Sequence, residues 1–365
     1  KLEYFKNDLI SGITVAIMLI PQGMAYALIA GLPPIYGLYA ALTPQIVYAF
    51  LGTSKQLAVG PVAMDSLLVA AGLGAISVVG PSQYIQMALL LALLMGLIQF
   101  VLGLLRMGFI VAFLSKPVIS GFTSAAAIII GLNQIKHILG ISIPQSNKIH
   151  IFISLIMNSQ AHINFYTLAI GLISILLLIG IKKWNTKIPS ALVVVIMSIF
   201  YVSFINYEQM GLAIVGNIPD GLPNFIFPVL EWDIIKSLLP ISLTIALVGF
   251  MEAISIAKSI EEKNKTDEIN PNQELIALGA SNIIGSFFQS YPTSGGFSRT
   301  AVNNQSGAKT GVSALISAII VGVILSFFTD WFYYLPKAVL GAIIIVAVTN
   351  LIDYKYTFGL YKERK

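Results

Sequence analysis

The chain has 365 residues, of which 57% are hydrophobic and 10% are charged, and its formal net charge is +5 at pH 7. A soluble globular protein carries about 25% charged residues, so this composition excludes that class. The absence of cysteine from the sequence excludes disulfides, thiolate metal sites and cysteine nucleophiles. The positive charge is no evidence of nucleic-acid binding, because lysine and arginine in a membrane protein first report its topology.

Twelve apolar segments are predicted to cross or enter a lipid bilayer, for which a helix needs about 20 residues. In chain order they are 8–30, 35–52, 60–79, 83–105, 117–139, 163–182, 188–206, 234–259, 272–290, 298–307 (a half-helix), 311–329 and 336–352. Segments 140–162 and 207–233 are predicted to be long external loops. The second, with GNIPDGLP at 216–223, is typical of a turn-rich connector between two halves.

The distribution of basic residues predicts the orientation of the chain. If Lys1 is cytoplasmic, most lysines and arginines fall in cytoplasmic loops, and only Lys136, Lys148, Lys236 and Lys337 fall outside. This asymmetry obeys the positive-inside rule. We therefore predict a multi-pass integral membrane protein with a cytoplasmic N-terminus, and we assign it to a bacterial inner membrane.

Two polar, glycine-rich breaks interrupt the apolar sequence, QLAVGPVA at 56–63 and YPTSGGFSRT at 291–300. Glycine and proline disfavour continuous helix, and non-helical backbone at membrane depth must be surrounded by protein or water. A helix that begins after each break directs unpaired N–H groups and the positive end of its dipole at the gap. Paired breaks therefore predict an anion site near the midplane. The alternative is a pair of kinked helices that pack through small residues.

Three polar side chains are candidates for binding the anion. Arg299 lies in the second break, and an arginine inside the membrane indicates a functional site. Gln22 and Tyr26 follow Pro21, lie four residues apart and share a helix face. Both can donate hydrogen bonds to an oxyanion. The alternative for this pair is a proline kink whose buried amide is satisfied by a neighbouring carbonyl.

Two acidic residues fall inside predicted spans. Glu252 lies deep in segment 234–259, where an ionised carboxylate is costly. Near Arg299 it is expected to stay ionised until it takes up a proton, which would couple anion binding to protons; the alternative is a static Glu–Arg structural pair. Asp65 falls in the first turn of the upstream half-helix, where it is either stabilised by the helix dipole or couples transport to an ion.

The sequence does not indicate an enzyme, a metal site or a cofactor. No Ser–His pair occurs in span register, and no clustered carboxylates suit metal–phosphate chemistry. The three histidines, His137, His150 and His162, are scattered over external segments without the spacing of metal ligands.

Several motifs resemble those of the SulP family of sulfate permeases and related anion transporters. The first half carries PQGMAYALIAGLPPIYGLYA at 21–40 and GTSKQLAVGPVA at 52–63. The second half carries GFSRTAVN at 296–303 and GAKT at 307–310. The likeness extends over essentially the whole chain, and the long first motif is highly specific.

The resemblance implies an all-α polytopic membrane fold of two inverted seven-span repeats with two crossed half-helices. The first repeat would cover about 8–206 and the second about 234–365, as one transmembrane transport domain with interleaved core and gate subdomains. The family continues with two more gate helices and a cytoplasmic STAS domain, so the second repeat is expected to be incomplete here. In the family the core moves against the gate and exposes the midplane site alternately.

The resemblance also implies the residues of the site. The family's proton-coupling glutamate corresponds to Glu252, and Asp65 occupies a position that we associate with a neutral residue. The family's anion contacts correspond to side chains and to the N–H groups at the start of the second half-helix. They are Gln22, Tyr26, Ala63, Gly296, Phe297, Ser298 and Arg299.

Together, the residues and the resemblance predict a secondary active transporter of a small inorganic oxyanion, and sulfate is the expected substrate. Alternating access and proton symport are the expected mechanism, and a homodimer is the expected assembly. The alternatives are a sodium-coupled bicarbonate or dicarboxylate transporter, and an uncoupled anion exchanger or channel. An organic or nucleobase carrier fits less well, because an arginine in the site argues against a neutral substrate.

Overall fold

The computed structural model describes residues 2–76, 80–109, 116–141, 143, 154, 163–185, 188–264 and 268–349. Most of the predicted external segment 140–162, with His150 and His162, lies outside the described residues, as does the end of the last predicted span. The described chain is helical apart from two short strands and their connections.

The elements follow one another as thirteen α-helices and two strands within the described residues. They are α1 Leu2–Ile29, α2 Pro34–Ala40, α3 Thr43–Leu51, β1 Val59–Gly60, α4 Ala63–Gly74, α5 Pro81–Leu104, α6 Lys116–Leu139, α7 Phe165–Trp184, α8 Ser190–Ser203, α9 Trp232–Asn264, α10 Pro271–Phe287, β2 Ser294–Gly295, α11 Phe297–Gln305, α12 Val312–Phe327 and α13 Lys337–Thr349.

The predicted spans agree with these helices except at two places. Segment 35–52 is two helices, α2 and α3, rather than one span. Pro34 begins α2 and Pro44 lies in the first turn of α3, where the missing N–H of proline is tolerated. Segment 60–79 becomes helical only at Ala63, and α4 ends at Gly74. At about 1.5 Å per residue α4 is too short to cross the membrane, and it is a half-helix like α11.

Four helices of the described chain are long and apolar enough to span a membrane: Glu3–Ile29, Pro81–Leu104, Phe165–Trp184 and Trp232–Glu262. Large apolar side chains on α7 are exposed, among them Phe165 at 78% and Leu176 at 69%. Apolar helix faces that remain uncovered by protein are what a lipid environment requires.

The chain divides into two compact units, and each is formed by two stretches of sequence. Unit 1 comprises Lys1–Val111 and Asn217–Trp331, and unit 2 comprises Ala112–Gly216 and Phe332–Lys365. In unit 2, α13 packs against α6 and α7. The chain before α13 forms a bridge between Ile214 and Pro336. All the predicted site residues belong to unit 1, and the assignment of core and gate roles to the units stays a prediction.

A buried carboxylate anchors the segment that leads into β1. Glu274, on α10, accepts hydrogen bonds from the Tyr48 hydroxyl at 2.7 Å and from the Thr53 hydroxyl at 2.6 Å. It also accepts from the backbone N–H groups of Thr53 at 2.7 Å and Ser54 at 3.2 Å. Four hydrogen bonds satisfy the buried carboxyl group. Glu274 therefore holds the turn that positions β1.

A second carboxylate anchors the turn that follows α11. Asp8, on α1, accepts from the backbone N–H groups of Lys309 at 2.6 Å and Thr310 at 3.1 Å. The Thr310 hydroxyl donates to its other oxygen at 2.6 Å. Asp8 and Glu274 thus both accept from backbone N–H groups and hydroxyls, and each ties one half of unit 1 to the other half.

Candidate functional site

The two predicted breaks meet as a short antiparallel ladder. Val59 of β1 pairs with Gly295 of β2, and Gly60 pairs with Ser294. The backbone N–H of Gly296 extends the ladder by donating to the carbonyl of Ala58 at 3.0 Å. Strands at this depth satisfy each other's backbone groups, which is what non-helical backbone inside a membrane protein requires. The breaks are therefore a built crossing point rather than two independent kinks.

A half-helix begins three residues beyond Gly60 and three residues beyond Ser294. Helix α4 starts at Ala63 and α11 starts at Phe297, and neither has a side-chain cap. Without capping side chains, the first-turn N–H groups and the positive dipole ends of both helices are free to favour negative charge. Ala63 is buried, whereas Phe297 and Ser298 are exposed.

Arg299 lies between Gly60 of β1 and Gly296, the residue that follows β2. The side chain is 2% exposed. A Cβ atom placed on Gly296 would lie 2.6 Å from Cζ and Nη2 of Arg299, and one on Gly60 would lie 3.5 Å from Nη2. A side chain at position 296 would therefore require the guanidinium to move. The glycines of the two breaks allow this positive charge to sit directly against the backbone crossing.

The guanidinium of Arg299 is incompletely satisfied. Its Nη1 donates to Oε1 of Gln22 at 3.4 Å, while Nε and Nη2 are buried without a hydrogen-bond partner among the described residues. Within the same described residues, no ion pair joins Arg299 to an acid. The static Glu252–Arg299 pair that the sequence left open is not made. A buried charge with unused donors is costly unless a ligand completes it.

Gln22 and Tyr26 lie one turn apart on α1 and are 5% and 6% exposed. The electrostatic neighbours of the Tyr26 hydroxyl are Arg299 and Glu252. Pro21 lies inside α1, and a Cβ atom on Gly37 would lie 1.9 Å from the carbonyl oxygen of Gly23. This close approach of α2 fixes the part of α1 that carries both polar residues. The structure therefore brings Gln22 to Arg299 and places Tyr26 in the same neighbourhood.

Glu252 lies on α9 and is partly exposed. Its Oε2 atom is buried and has no hydrogen-bond partner in the described chain. The charges that act on it are those of Asp65 and Arg299. Glu252 therefore interacts with the charge of Arg299, without an ion pair between them among the described residues.

Asp65 lies in the first turn of α4 and is completely buried. Neither of its carboxylate oxygens has a hydrogen-bond partner within the described residues. Ser294 is its polar neighbour, but the hydroxyl of Ser294 also lacks hydrogen-bond geometry to any described group. A Cβ atom on Gly249 would lie 3.3 Å from both Oδ2 of Asp65 and Cβ of Ser294. Asp65 therefore faces α9 and β2.

Two residues that position the crossing were not identified from the sequence. The side chain of Asn282, on α10, accepts from the N–H of Thr293 at 2.9 Å and donates to its carbonyl at 2.9 Å. The hydroxyl of Thr300 accepts from the N–H of Ala58 at 3.0 Å. Thr300 lies inside the second break, but its contact is with Ala58 of the first break. Asn282 lies eleven residues before Thr293, outside both breaks.

The described residues contain no group of three or more histidine, cysteine or acidic side chains that could hold a metal ion. His137 is described and lies at the end of α6 in unit 2. The region around Arg299 therefore presents donors for an anion and two unpaired carboxylates, and it does not present a metal-ligand set.

The chain is similar to known transporters over its whole length. The model of the sulfate permease family matches residues 5–365. "Sulfate transporter 4.1, chloroplastic" of Arabidopsis thaliana is 45% identical over 369 residues, which cover 100% of this chain and 54% of that protein.

Two solved structures resemble the fold. The murine solute carrier 26 family member A9 anion transporter in the inward-facing state matches with a TM-score of 0.91 at 29% identity, over 98% of this chain and 62% of that chain. The transmembrane domain of the cyanobacterium bicarbonate transporter BicA matches with a TM-score of 0.88 at 24% identity, over 98% of this chain and 91% of that chain. The polytopic helical membrane fold predicted from the sequence is confirmed.

These similarities correct one expectation and set the family. The assignment to a bacterial inner membrane is not supported, because the plant relative is chloroplastic and the first solved structure is murine. The chain spans about half the length of the curated relatives it matches. The family and these relatives are transporters and not enzymes, as expected. With a family model that matches almost every residue, the chain belongs to the sulfate permease family.

Proposed function

We propose that the protein is a secondary active transporter of a small inorganic oxyanion, with sulfate as the preferred substrate. The observation that carries this proposal is the buried guanidinium of Arg299, whose Nε and Nη2 have no partner among the described residues. A dianion accepts hydrogen bonds on every face and would use both free N–H directions. The name of the plant relative, a sulfate transporter, supports the same substrate.

The donors around Arg299 suit an oxyanion better than a neutral substrate. Gln22 already contacts the guanidinium, and Tyr26 is its electrostatic neighbour. The uncapped starts of α4 and α11 add backbone N–H groups and two positive dipole ends. A fixed cation together with neutral donors selects a small, highly charged acceptor.

Alternating access through two inverted repeats is the mechanism that we propose. The order of elements in unit 1 supports the repeat: α1 and α9 are both long helices with an internal proline, Pro21 and Pro240. Each is followed by further helix, a short strand and a half-helix. The strands pair antiparallel, as expected for halves of opposite orientation.

Proton symport is the proposed coupling, with Glu252 as the group that takes up the proton. Glu252 is partly exposed, lacks a partner for Oε2 and interacts with the charge of Arg299. An ionised Glu252 opposes an incoming dianion, and a protonated one does not. Proton and anion binding would therefore assist each other, and this linkage is reciprocal.

Uptake of radiolabelled sulfate into proteoliposomes tests the proposed function. Proton and sodium gradients are imposed separately, and we expect accumulation only with an inward proton gradient. Accumulation that needs sodium would favour the sodium-coupled bicarbonate or dicarboxylate alternative. In that case, unlabelled bicarbonate or dicarboxylate should compete with the uptake of radiolabelled sulfate. Equilibration without accumulation under either gradient would indicate an uncoupled exchanger or channel. No saturable sulfate flux at all would refute the proposal.

Gln22 and Tyr26 are expected to contribute to affinity. Gln22→Ala and Tyr26→Phe should each raise the apparent KM for sulfate about 10-fold, because a hydrogen bond to a charged group contributes about 1.5 kcal/mol or more. Initial rates of uptake at a series of sulfate concentrations measure this effect. Tyr26→Phe removes only the hydroxyl, so packing is retained.

Two measurements separate binding from packing. Thermal unfolding without sulfate should be unchanged in Tyr26→Phe, and the stabilisation that saturating sulfate gives should be reduced in both variants. A normal KM together with a lower unfolding temperature would instead assign Gln22 and Tyr26 to the proline kink of α1.

The protein is also proposed to work as a homodimer, as its resemblance to the family implies. Light scattering in mild detergent should give the mass of two chains. The same sample, reconstituted into vesicles, should transport sulfate. A monodisperse monomer that is fully active after reconstitution would refute the dimer.

A further inference from the structure

Asp65 is a buried acid that the anion site does not use. It is completely buried, and both carboxylate oxygens lack a partner within the described chain. The hydroxyl of Ser294, also completely buried and unpartnered, is its polar neighbour. The other buried acids of unit 1, Asp8 and Glu274, are satisfied by backbone and hydroxyl donors. An ionised carboxylate is costly at such a position, so the binding of a cation to Asp65 is favoured.

Glu252 is the candidate entry point for a proton that reaches Asp65. Asp65 packs against Gly249, and Glu252 lies three residues further along α9, on the same helix face. The two carboxylates interact electrostatically, but only Glu252 is partly exposed. A carboxylate can accept a proton from water and pass it on, whereas the amide of a glutamine cannot.

Other groups also face Asp65 and Glu252, but none of them takes over the role of either carboxylate. Helix α1 contributes Tyr26, the segment before β2 contributes Tyr291, and α11 contributes Arg299, which acts on Glu252. Tyr291 is engaged with the hydroxyl of Ser66 at 3.0 Å. Helix α5 contributes Met95, which contacts Gly249 and does not titrate.

We infer that Asp65 is a second proton-binding site, loaded through Glu252, so that two protons accompany each sulfate dianion. A water-borne proton binds Glu252 and transfers to the Asp65 carboxylate, and a second proton then binds Glu252. Two protons balance the two charges of sulfate, so the site has the same net charge when loaded and when empty. This inference deepens the proposed function and rests on it.

Proton stoichiometry in proteoliposomes tests the inference. In the range where sulfate is below its KM, uptake by the unmodified protein should rise about 100-fold for each unit by which pH falls, and Asp65→Asn should rise about 10-fold. Glu252→Gln should lose the dependence on pH. With the membrane potential clamped by potassium and valinomycin, the unmodified protein should not respond to the potential. Asp65→Asn should respond, because one proton leaves one negative charge uncompensated.

The outcomes separate this inference from the proposed function. A 10-fold rise per pH unit in the unmodified protein, or equal slopes for it and Asp65→Asn, would overturn the second proton site while leaving proton-coupled transport in place. Uptake that needs sodium, or that ignores both gradients, would refute the proposed function itself. Sulfate counterflow checks that Asp65→Asn is folded. If that variant does not fold, the slope and the voltage response of the unmodified protein still decide the stoichiometry.

Discussion

Arg299→Ala is expected to abolish saturable sulfate uptake while leaving the protein folded. Arg299 is the one full positive charge at the crossing of β1 and β2 in the described structure, and its Nε and Nη2 have no partner there. Truncating one partner of a buried charge pair costs about 2–5 kcal/mol, so sulfate binding should weaken at least about 30-fold. Initial uptake rates and sulfate-dependent thermal stabilisation both measure this loss.

The stability of the ligand-free variant distinguishes a binding arginine from a structural one. Removal of a structural ion-pair partner destabilises a protein by about 3–5 kcal/mol. Arg299 has a single long hydrogen bond, from Nη1 to Gln22, so its removal relieves a desolvation cost and the unfolding temperature without sulfate should be equal or higher. Arg299→Lys should recover part of the affinity, since lysine lacks the planar set of donors.

Lys258→Ala is the matched control for the loss of one positive charge. Lys258 lies on α9 with 44% of its side chain exposed and pairs with Glu261 at 2.7 Å. Exposed pairs of this kind contribute little to stability. Uptake by Lys258→Ala should therefore be unchanged. Wild-type kinetics in Arg299→Ala, or equal losses in both variants, would contradict the role assigned to Arg299.

The helices could be predicted from the sequence because their length and composition reflect the bilayer. The points at which the helical backbone is interrupted could be predicted only in part. The single span predicted for 35–52 is divided between α2 and α3, and Pro44 was the signal that this prediction overlooked. The start of α4 at Ala63 follows from Gly60 and Pro61, which the sequence did identify as helix-disfavouring. A hydropathy pattern reports how apolar a segment is and does not report whether its backbone is continuous.

The candidate site was also predictable only in part. Gln22, Arg299 and Glu252 could be selected from the sequence because polar groups in apolar spans are costly and conspicuous. The antiparallel pairing of β1 with β2 could not be predicted from the sequence, since each strand has two residues and no strand pattern. Asn282 and Asp8 were also missed, because their role lies in hydrogen bonds to backbone groups outside their own helices. Such roles depend on the fold, which a local motif does not contain.

Glu252→Gln is expected to retain sulfate binding and exchange while losing proton-driven accumulation. Glutamine mimics the protonated carboxyl group, so the repulsion between an ionised Glu252 and the incoming dianion is absent at every pH. Linked sites typically interact by about 1–3 kcal/mol, which corresponds to a change of about 5–150-fold in affinity. Uptake by the unmodified protein should rise by a factor in that range or larger as the external pH falls, and uptake by the variant should stay nearly constant.

Glu262→Gln is the matched control for this substitution. Glu262 lies on the same helix, ten residues further along, and is exposed, so its loss should leave both accumulation and pH dependence unchanged. Sulfate counterflow in Glu252→Gln, measured without a gradient, separates loss of coupling from loss of binding. Wild-type accumulation in Glu252→Gln under an inward proton gradient would show that Glu252 is structural. Asp65 would then have to exchange its cation by a route that avoids Glu252, which its complete burial against α9 and β2 makes hard to provide.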